Sequence, residues 1–349
     1  MNRNRILVVG GAGYVGSVLV AELIERGYTV CVLDRLYYGD NGLREVRDCL
    51  ELVVSDMRAL PADVLDGVAA VINLGGLSND PTAEYNPTAN YQMNTEASAR
   101  LAELCVQAGV RRYLFASSCS IYDLGLDGGE IDVVQDEEAP VYPRAAYSKS
   151  KRAAEKALLN LASDSFCPVI LRKGTIYGFS PRMRYDLVVN TFVKDALSKG
   201  AVTLHCGGEM WRPLIDVRDV ARAYVAALCA DEDLVRGQIF NLAYANFRIS
   251  ELALRVREAL RGAGVECAIH VDYNCQGVRS YRVSTRKLEN TLNIRASIPV
   301  EDAVRNMVER IRQHGLTDFD NPRYYNIRWV KTLEEAHQVI RITGSVFGC

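Results

Sequence analysis

The feature that most constrains this chain is the stretch at residues 5–17, RILVVGGAGYVGS, an apolar strand-like run, a turn with glycines at 10, 13 and 16, and a helix start. Gly10 supplies the tight turn, Gly13 lets a ligand approach the backbone, and Gly16 lets the helix pack closely on the strand. The first turn of the helix then offers free N–H groups and a positive dipole end to an anion, which suits a dinucleotide pyrophosphate. Asp34 closes the next apolar run, in CVLDR. A carboxylate there accepts hydrogen bonds from both ribose hydroxyls and repels a 2′-phosphate, so the pair of features points to NAD; the neighbouring Arg35 tempers that preference. After the third strand, Asp56 with Met57 faces the same region, as a partner for the adenine amine or as an ordinary helix cap. Leu74 and Gly75 lie in NLGGL, where small residues let the chain pass close to a cofactor.

Over residues 1–174, short β-branched runs alternate with longer amphipathic stretches, the pattern of βαβ units and a doubly wound, Rossmann-type parallel sheet in an α/β fold. Strands are expected at Arg5–Val9, Thr29–Leu33, Leu52–Val54, Ala70–Leu74, Tyr113–Ser117 and Pro168–Leu171, continuous in apolar residues because both faces are covered. Helices are expected at Ser17–Arg26, Asn90–Ala108 and Ala146–Leu161, two of them ended by Gly27 and Gly109. Residues 175–209 and 246–312 form a smaller mixed α/β lobe for substrate, with helices near Leu187–Lys199 and Ile249–Leu260. Between them, parts of about 210–245 return to the first domain, with Ile215–Leu228 as strand, turn and helix. Residues 313–349 form a C-terminal extension with Trp329, Val330, Leu333, Ala336 and Ile340 on one stripe, packed on the body or on a second subunit.

Other classes are disfavoured by composition. The formal charge is −2, from 41 basic and 43 acidic residues spread evenly, which leaves no footprint for nucleic acid. The first apolar run is too short for a membrane span or a signal peptide, so a cytoplasmic protein is expected. Ten cysteines are scattered without a CxxC pair and read as reduced thiols, and four histidines lie far apart, so no metal is expected.

Tyr147 and Lys151, in YSKSK, sit one helical turn apart on one face. A phenol is a poor base at neutral pH, but a nearby ammonium and a positive nicotinamide ring both favour the phenolate. Tyr147 can then take a hydroxyl proton while the carbon beneath gives hydride to the cofactor, and Lys151 also holds the nicotinamide ribose. Ser118, in SSCSIY at the end of the fifth strand, stands where it can bond the reacting hydroxyl, or be a plain strand-end serine.

These residues resemble the extended short-chain dehydrogenase/reductases, in particular the NAD-dependent epimerases and dehydratases of nucleotide sugars. The likeness runs from residue 5 to about 312 on GGAGYVG, Asp34, Asp56, NLGG, Asn94, SSCSIY, YSKSK, LRKGTIYG, WRPLIDVRDVA and RSYRVSTRKL. It implies that Ser118, Tyr147 and Lys151 form the catalytic triad and that Tyr14, Val15, Asp34 and Asn94 serve NAD. It also implies that Arg212 and Arg279 grip the diphosphate of a nucleotide-diphosphate sugar, with Thr175 and Asn190 near sugar and nucleotide. Either arginine alone could equally be a surface salt-bridge residue. The 4,6-dehydratases carry Asp and Glu after the catalytic hydroxyl residue; here Cys119 and Ser120 stand at those substrate-facing positions, so the acid and base for elimination are missing. Enzymes that epimerise C3 and C5 place a cysteine where Ser120 stands. Asp123 and Asp216 replace a usual glycine and histidine. A C4 epimerase is thus expected, with a C4 dehydrogenase or 4-ketoreductase as the alternative, and a dehydratase or a non-catalytic NAD-binding protein behind them. The same resemblance implies a homodimer through the helices at about 90–108 and 146–161.

Overall fold

The computed structural model describes residues 4–122, 133–274 and 279–344; Asp123 lies outside them. Seven parallel strands form the main sheet: β1 (Arg5–Val9), β2 (Thr29–Asp34), β3 (Leu50–Val54), β4 (Ala70–Asn73), β5 (Arg112–Ser118), β6 (Cys167–Lys173) and β7 (Ile239–Leu242). Their order across the sheet is β7-β6-β5-β4-β1-β2-β3, so the chain reverses direction between β1 and β4. In such sheets, ligands bind at the carboxyl ends beside that switch point.

Both faces are covered. On one face α1 (Tyr14–Glu25) and α4 (Val217–Cys229) bury Leu19, Val20, Val220 and Tyr224 against Val8, Val32 and Leu171. On the other, α2 (Ala97–Gln107) and α3 (Ala146–Leu159) bury Leu101, Ala154 and Leu158 against Leu7, Val71 and Phe115. The inner strands are therefore apolar on both sides, as their composition implies. β3 departs from that reading: it is the outermost strand, and Val54 is 62% exposed.

Three helices, Val188–Lys199, Ile249–Gly262 and Val300–Gln313, pack round a second core with two small sheets. The strand Trp211–Asp216 belongs here, pairing with Thr175–Tyr177 and Ala245–Arg248. Of the segment 210–245 expected to return to the main sheet, α4 packs on it and β7 adds to its edge, while the strand expected from Ile215 belongs to the smaller sheet. Asp216 is fully buried and caps α4, accepting from the Arg218 amide at 2.8 Å, which is what the aspartate at that position does for the fold.

The helix expected at 90–108 is interrupted by a π turn over Gln92–Glu96. Asn94 sits in that turn, fully buried, and its amide nitrogen donates to Leu77 O (2.9 Å), Asn90 (2.8 Å) and Ser150 (3.2 Å). Its side-chain oxygen accepts from the Leu77 amide at 2.8 Å, so one asparagine ties the loop after β4 to α3. Cys206 is disulfide-bonded, which corrects the reading of all ten cysteines as reduced. No described helix is long and apolar enough to cross a membrane, and no group of three or more His, Cys, Asp or Glu among the described residues could hold a metal.

Beneath the carboxyl ends of β5 and β6 lies a buried polar knot. Glu155 of α3 is 0% exposed and takes both Arg172 Nε (2.9 Å) and Nη2 (2.8 Å), the Ser117 hydroxyl (2.5 Å) and Arg152 (2.9 Å). Arg172 also donates to the Tyr122 hydroxyl at 2.7 Å, which donates on to Asn241 at 2.9 Å. Breaking a buried pair from one side leaves an uncompensated charge, so Glu155→Ala should lose about 3–5 kcal/mol of unfolding free energy in urea. Glu258→Ala, at an exposed pair with Arg261, should lose about 1 kcal/mol or less.

Candidate active site

The chain opens a cavity of about 350 Å³ along the carboxyl ends of the central strands. Its floor at one end is the glycine turn. Gly10 has φ +77° and lies so close to the loop after β4 that a β-carbon would stand 2.9 Å from Gly75 N. A β-carbon on Gly16 would come within 2.4 Å of Gly10 O, and one on Gly13 within 3.2 Å of the same atom. Only glycines leave this bare backbone cradle in front of α1, whose first turn has no acidic side chain. Asp34 lines the cavity at the end of β2, fixed by the Ala12 amide (3.0 Å) and the Leu36 amide (2.8 Å). Its pKa is raised, chiefly by burial and against those two hydrogen bonds. A dinucleotide fits this donor set: a phosphate cradle at one end and a ribose acceptor at the other.

Val15, Met57, Leu74 and Gly75 also line the wall. Tyr14 contributes there, but its hydroxyl points inward and donates to Gly178 O at 2.7 Å. Asp56 fulfils the capping alternative, accepting from Arg58 N at 2.9 Å, and its carboxylate pairs with Arg35 at 2.7 Å. Asn94 is not in the wall; it braces Leu77 from behind.

At the other end Ser118 and Tyr147 both line the cavity. The Ser118 oxygen accepts from the Ser120 amide at 3.1 Å. Burial pushes the Tyr147 phenol up to about 12; the Arg184 guanidinium and the Ser118 hydroxyl pull the other way. The nearby cation that opposes burial is Arg184, not the expected Lys151. Lys151 lies just behind, 4% exposed, its ammonium 4.8 Å from the Phe115 ring centre and 5.9 Å from that of Tyr147. Burial lowers its pKa to about 8, resisted by Glu155 one turn further along α3.

The substrate-facing expectations divide. Ser120 lines the cavity and its buried hydroxyl has no partner, so it is free to meet a ligand. Cys119 turns the other way, fully buried, its thiol 3.0 Å from Arg172 O. Thr175 and Arg279 line the wall, and Arg279 is paired with Asp80. Arg212 is not in the wall, but its guanidinium donates to the Arg279 carbonyl, so the two arginines are neighbours. Asn190 does not reach the cavity: its side chain is spent on Gly178 N (3.1 Å), the Tyr14 hydroxyl (3.1 Å) and Arg184 O (2.9 Å).

The family model for the NAD dependent epimerase/dehydratase family matches residues 6–243. The chain belongs to this family. Among curated relatives, UDP-glucuronic acid decarboxylase 1 of Xenopus tropicalis is 30% identical over 240 residues, 65% of this chain and 54% of that protein. UDP-N-acetyl-alpha-D-glucosaminuronate decarboxylase of Bacillus cytotoxicus is 25% identical over 252 residues, 69% of this chain and 75% of that one. The chain thus spans little more than half the length of the UDP-glucuronic acid decarboxylases it matches. Among solved structures, MoeE5 in complex with UDP-glucuronic acid and NAD aligns with TM-score 0.75 at 26% identity, covering 89% of this chain and 99% of that one. NAD is the cofactor of the family, and its members here include decarboxylases, epimerases and dehydratases of sugar nucleotides.

Sequence reasoning missed Lys173. It ends β6 in register with Ser118 on β5, lines the cavity, and has no carboxylate at ion-pair distance among the described residues. Burial and then the Lys151 charge lower its pKa to about 7. A lysine directly after the apolar run Pro168–Leu171 and Arg172 breaks the strand pattern, and that was the available signal. Its folded pKa lies below the unfolded value, so the unfolded chain binds more protons between about pH 7 and 10.5, and stability rises with pH through that window. Lys173→Met removes this cost. The variant should be more stable than the parent below pH 7, with the gap in urea midpoint closing as pH approaches 10.

Proposed function

We propose that this chain is an NAD-dependent 4-epimerase of a nucleotide-diphosphate sugar. The observation that carries the reading is that Ser118 and Tyr147 both line the cavity end, with Lys151 behind and a hydroxyl residue, not an acid, at Ser120. Tyr147 accepts the proton of the C4 hydroxyl, and Ser118 holds that oxygen as it becomes a carbonyl. The cofactor, when bound, accepts hydride from C4 and gives it back. Release and rebinding of the keto sugar in the other orientation, followed by proton return from Tyr147, yields the epimer. Arg184 stabilises the phenolate, and Lys151 keeps a second positive charge close to it. Cys119 faces away and Ser120 is a poor acid, so elimination of water lacks its proton donor and acceptor. In this reading Arg279, with Arg212 beside it, and Thr175 take the diphosphate and nucleotide.

A second reading, decarboxylation of a hexuronate, is favoured by two observations: the Lys173 side chain beside Ser118 offers a cation at the sugar end, and the 30% identical relative is a UDP-glucuronic acid decarboxylase. In that reaction oxidation at C4 makes a β-keto acid. The C5–C6 bond then breaks, CO₂ leaves, the electron pair passes to the C4 oxygen, C5 takes a proton, and return of the hydride to C4 by the bound cofactor would give the pentose.

Incubation with UDP-glucose and with UDP-glucuronic acid, followed by NMR and by absorbance of NADH, separates these outcomes. The C4 epimer with no net NADH supports the first reading, and a UDP-pentose with CO₂ the second. Stoichiometric NADH would instead mean a net dehydrogenase, and unchanged sugars across UDP-, GDP-, dTDP- and CDP-hexoses and UDP-glucuronic acid would overturn the sugar-nucleotide assignment. Tyr147→Phe should lower kcat about 10²- to 10⁴-fold with NAD affinity retained. A homodimer through α2 and α3 belongs to the same proposal. Light scattering should give twice the chain mass, and a monomer throughout would remove that part of it.

A further inference from the structure

Arg182 lies outside the glycine turn and outside every motif read from the sequence, yet the fold delivers it to the phosphate end of the cavity. Three hydrogen bonds pin its segment to the first turn of α1: Tyr14 OH to Gly178 O (2.7 Å), Ser180 Oγ to Tyr14 O (2.7 Å), and Ser17 Oγ with Ser180 Oγ (2.9 Å). A β-carbon on Gly42 would stand 3.0 Å from Arg182 Cβ, 3.1 Å from Ser17 Cβ and 3.4 Å from Ala12 O, which places the arginine against the glycine turn itself. The residue is 7% exposed, its guanidinium lies 3.8 Å from the Tyr38 ring centre, and Nη2 donates to Asn326 Oδ1 at 2.7 Å. Its Nε is buried without a partner.

A buried guanidinium is costly unless an anion meets it. The other arginines of the wall have theirs: Arg35 pairs with Asp56, Arg184 with Asp186 at 2.8 Å, and Arg279 with Asp80. Arg182 has no acid at ion-pair distance among the described residues, and Arg184 repels it; the carboxylates that act on it from further off are Asp186 and Asp34. Lys173 also lacks an acid, but it stands on β6, three strands from β1 at about 4.8 Å each, at the sugar end. The anion that fits Arg182 must therefore sit at the N-terminus of α1, between the glycine turn and the Asp34 ribose acceptor.

We propose that Arg182 clamps the diphosphate of the bound dinucleotide from the side opposite the glycine turn, and that Asn326, the first residue of the C-terminal helix α5 (Asn326–Thr343), is the positioning residue that holds it there. Asn326 is fixed for this task. Its Nδ2 donates to Ser78 Oγ at 2.7 Å and its backbone amide to Asp186 at 3.2 Å, so it spans the loop after β4 and the Arg182 segment. The C-terminal extension is thereby a wall of the cofactor site and not only an appendage. A guanidinium can donate two parallel bonds to the diphosphate, while the helix N–H groups bind it from the other side.

The shared chemistry is a diphosphate, which NAD and a nucleotide sugar both carry, and calorimetric titration of NAD-free protein with NAD, ADP, adenosine and UDP tells them apart. Arg182→Met should weaken NAD and ADP by about 10- to 100-fold and leave adenosine within about two-fold. Arg182→Lys should recover part of the loss. Asn326→Ala should weaken ADP less than Arg182→Met, and the double variant should bind ADP no more weakly than Arg182→Met alone, because the asparagine acts through the arginine. Equal losses for ADP and adenosine would show a damaged pocket and overturn the proposal. A loss confined to UDP would assign the guanidinium to the sugar nucleotide and overturn it as well, as would unchanged ADP affinity. Should Arg182→Met fail to fold, Asn326→Ala and Arg182→Lys carry the same comparison of ADP with adenosine. These titrations need no turnover, so they stand apart from the question of which sugar reaction the chain performs.

Discussion

The reacting end of the cavity hangs on one carboxylate. Glu155 lies on α3 two turns beyond Tyr147 and one beyond Lys151, and it bonds Ser117 on β5 and Arg172 on β6. Those strand residues immediately precede Ser118 and Lys173. A single buried acid therefore fixes the helix that carries the phenol against the strand ends that carry its partners. The same charge offsets the desolvation of Lys151, whose ammonium would otherwise be buried beside an aromatic ring alone. Catalytic geometry of this kind is held by what lies behind it, because hydroxyl pairs must stay within a few tenths of an ångström to exchange a proton.

The other end depends on contact between backbones. Gly10, Gly16 and Gly75 approach so closely that no side chain fits, and this closeness leaves the N-terminus of α1 open to a ligand. An open cradle of N–H groups has no counter-wall of its own. In this chain the counter-wall comes from Arg182 and Tyr38, propped by the C-terminal helix, while Ser17 and Ser180 lock the two lobes together beside it. The cofactor end is thus a joint between lobes, whereas the reacting end belongs mainly to the sheet and α3.

Much of this was legible in the sequence because it rests on local rules. Continuous apolar runs gave the inner strands, the glycine turn gave its own conformation, and four-residue spacing put Tyr147 and Lys151 on one face. What escaped depends on partners far along the chain. Glu155 continues the spacing of Tyr147 and Lys151, but nothing local says that Arg172 will meet it. Asn190 looked like a ligand contact and is consumed by Tyr14 and Gly178, and Asn94 likewise became a brace, since an asparagine has no sequence signal separating the two tasks. Arg182 and Asn326 reach the site only after a turn of tertiary structure has brought residues far apart in the chain together. Cys119 and Ser120 were both expected to face substrate; they lie in a single 3₁₀ turn, Cys119–Tyr122, after β5, and of the two only Ser120 lines the cavity.

The charges lining the cavity bear on the proton chemistry at Tyr147. Burial holds the Tyr147 proton on, up to about pH 12, while it loosens the protons of Lys151 to about 8 and Lys173 to about 7. All three shifts disfavour the charged form, as burial does, although Lys151 at about 8 still keeps most of its charge at neutral pH. In the proposed reaction a base is needed only once a substrate hydroxyl lies against Ser118, and any positive charge brought into the cavity lowers the cost of the phenolate at that moment. An acid on the sugar would act in the opposite sense on the lysines, restoring the ammonium of Lys173 next to Ser118. Proton transfer at Tyr147 thus depends on the charges brought against the phenol, and Arg184 and Ser118 already oppose the burial that raises its pKa.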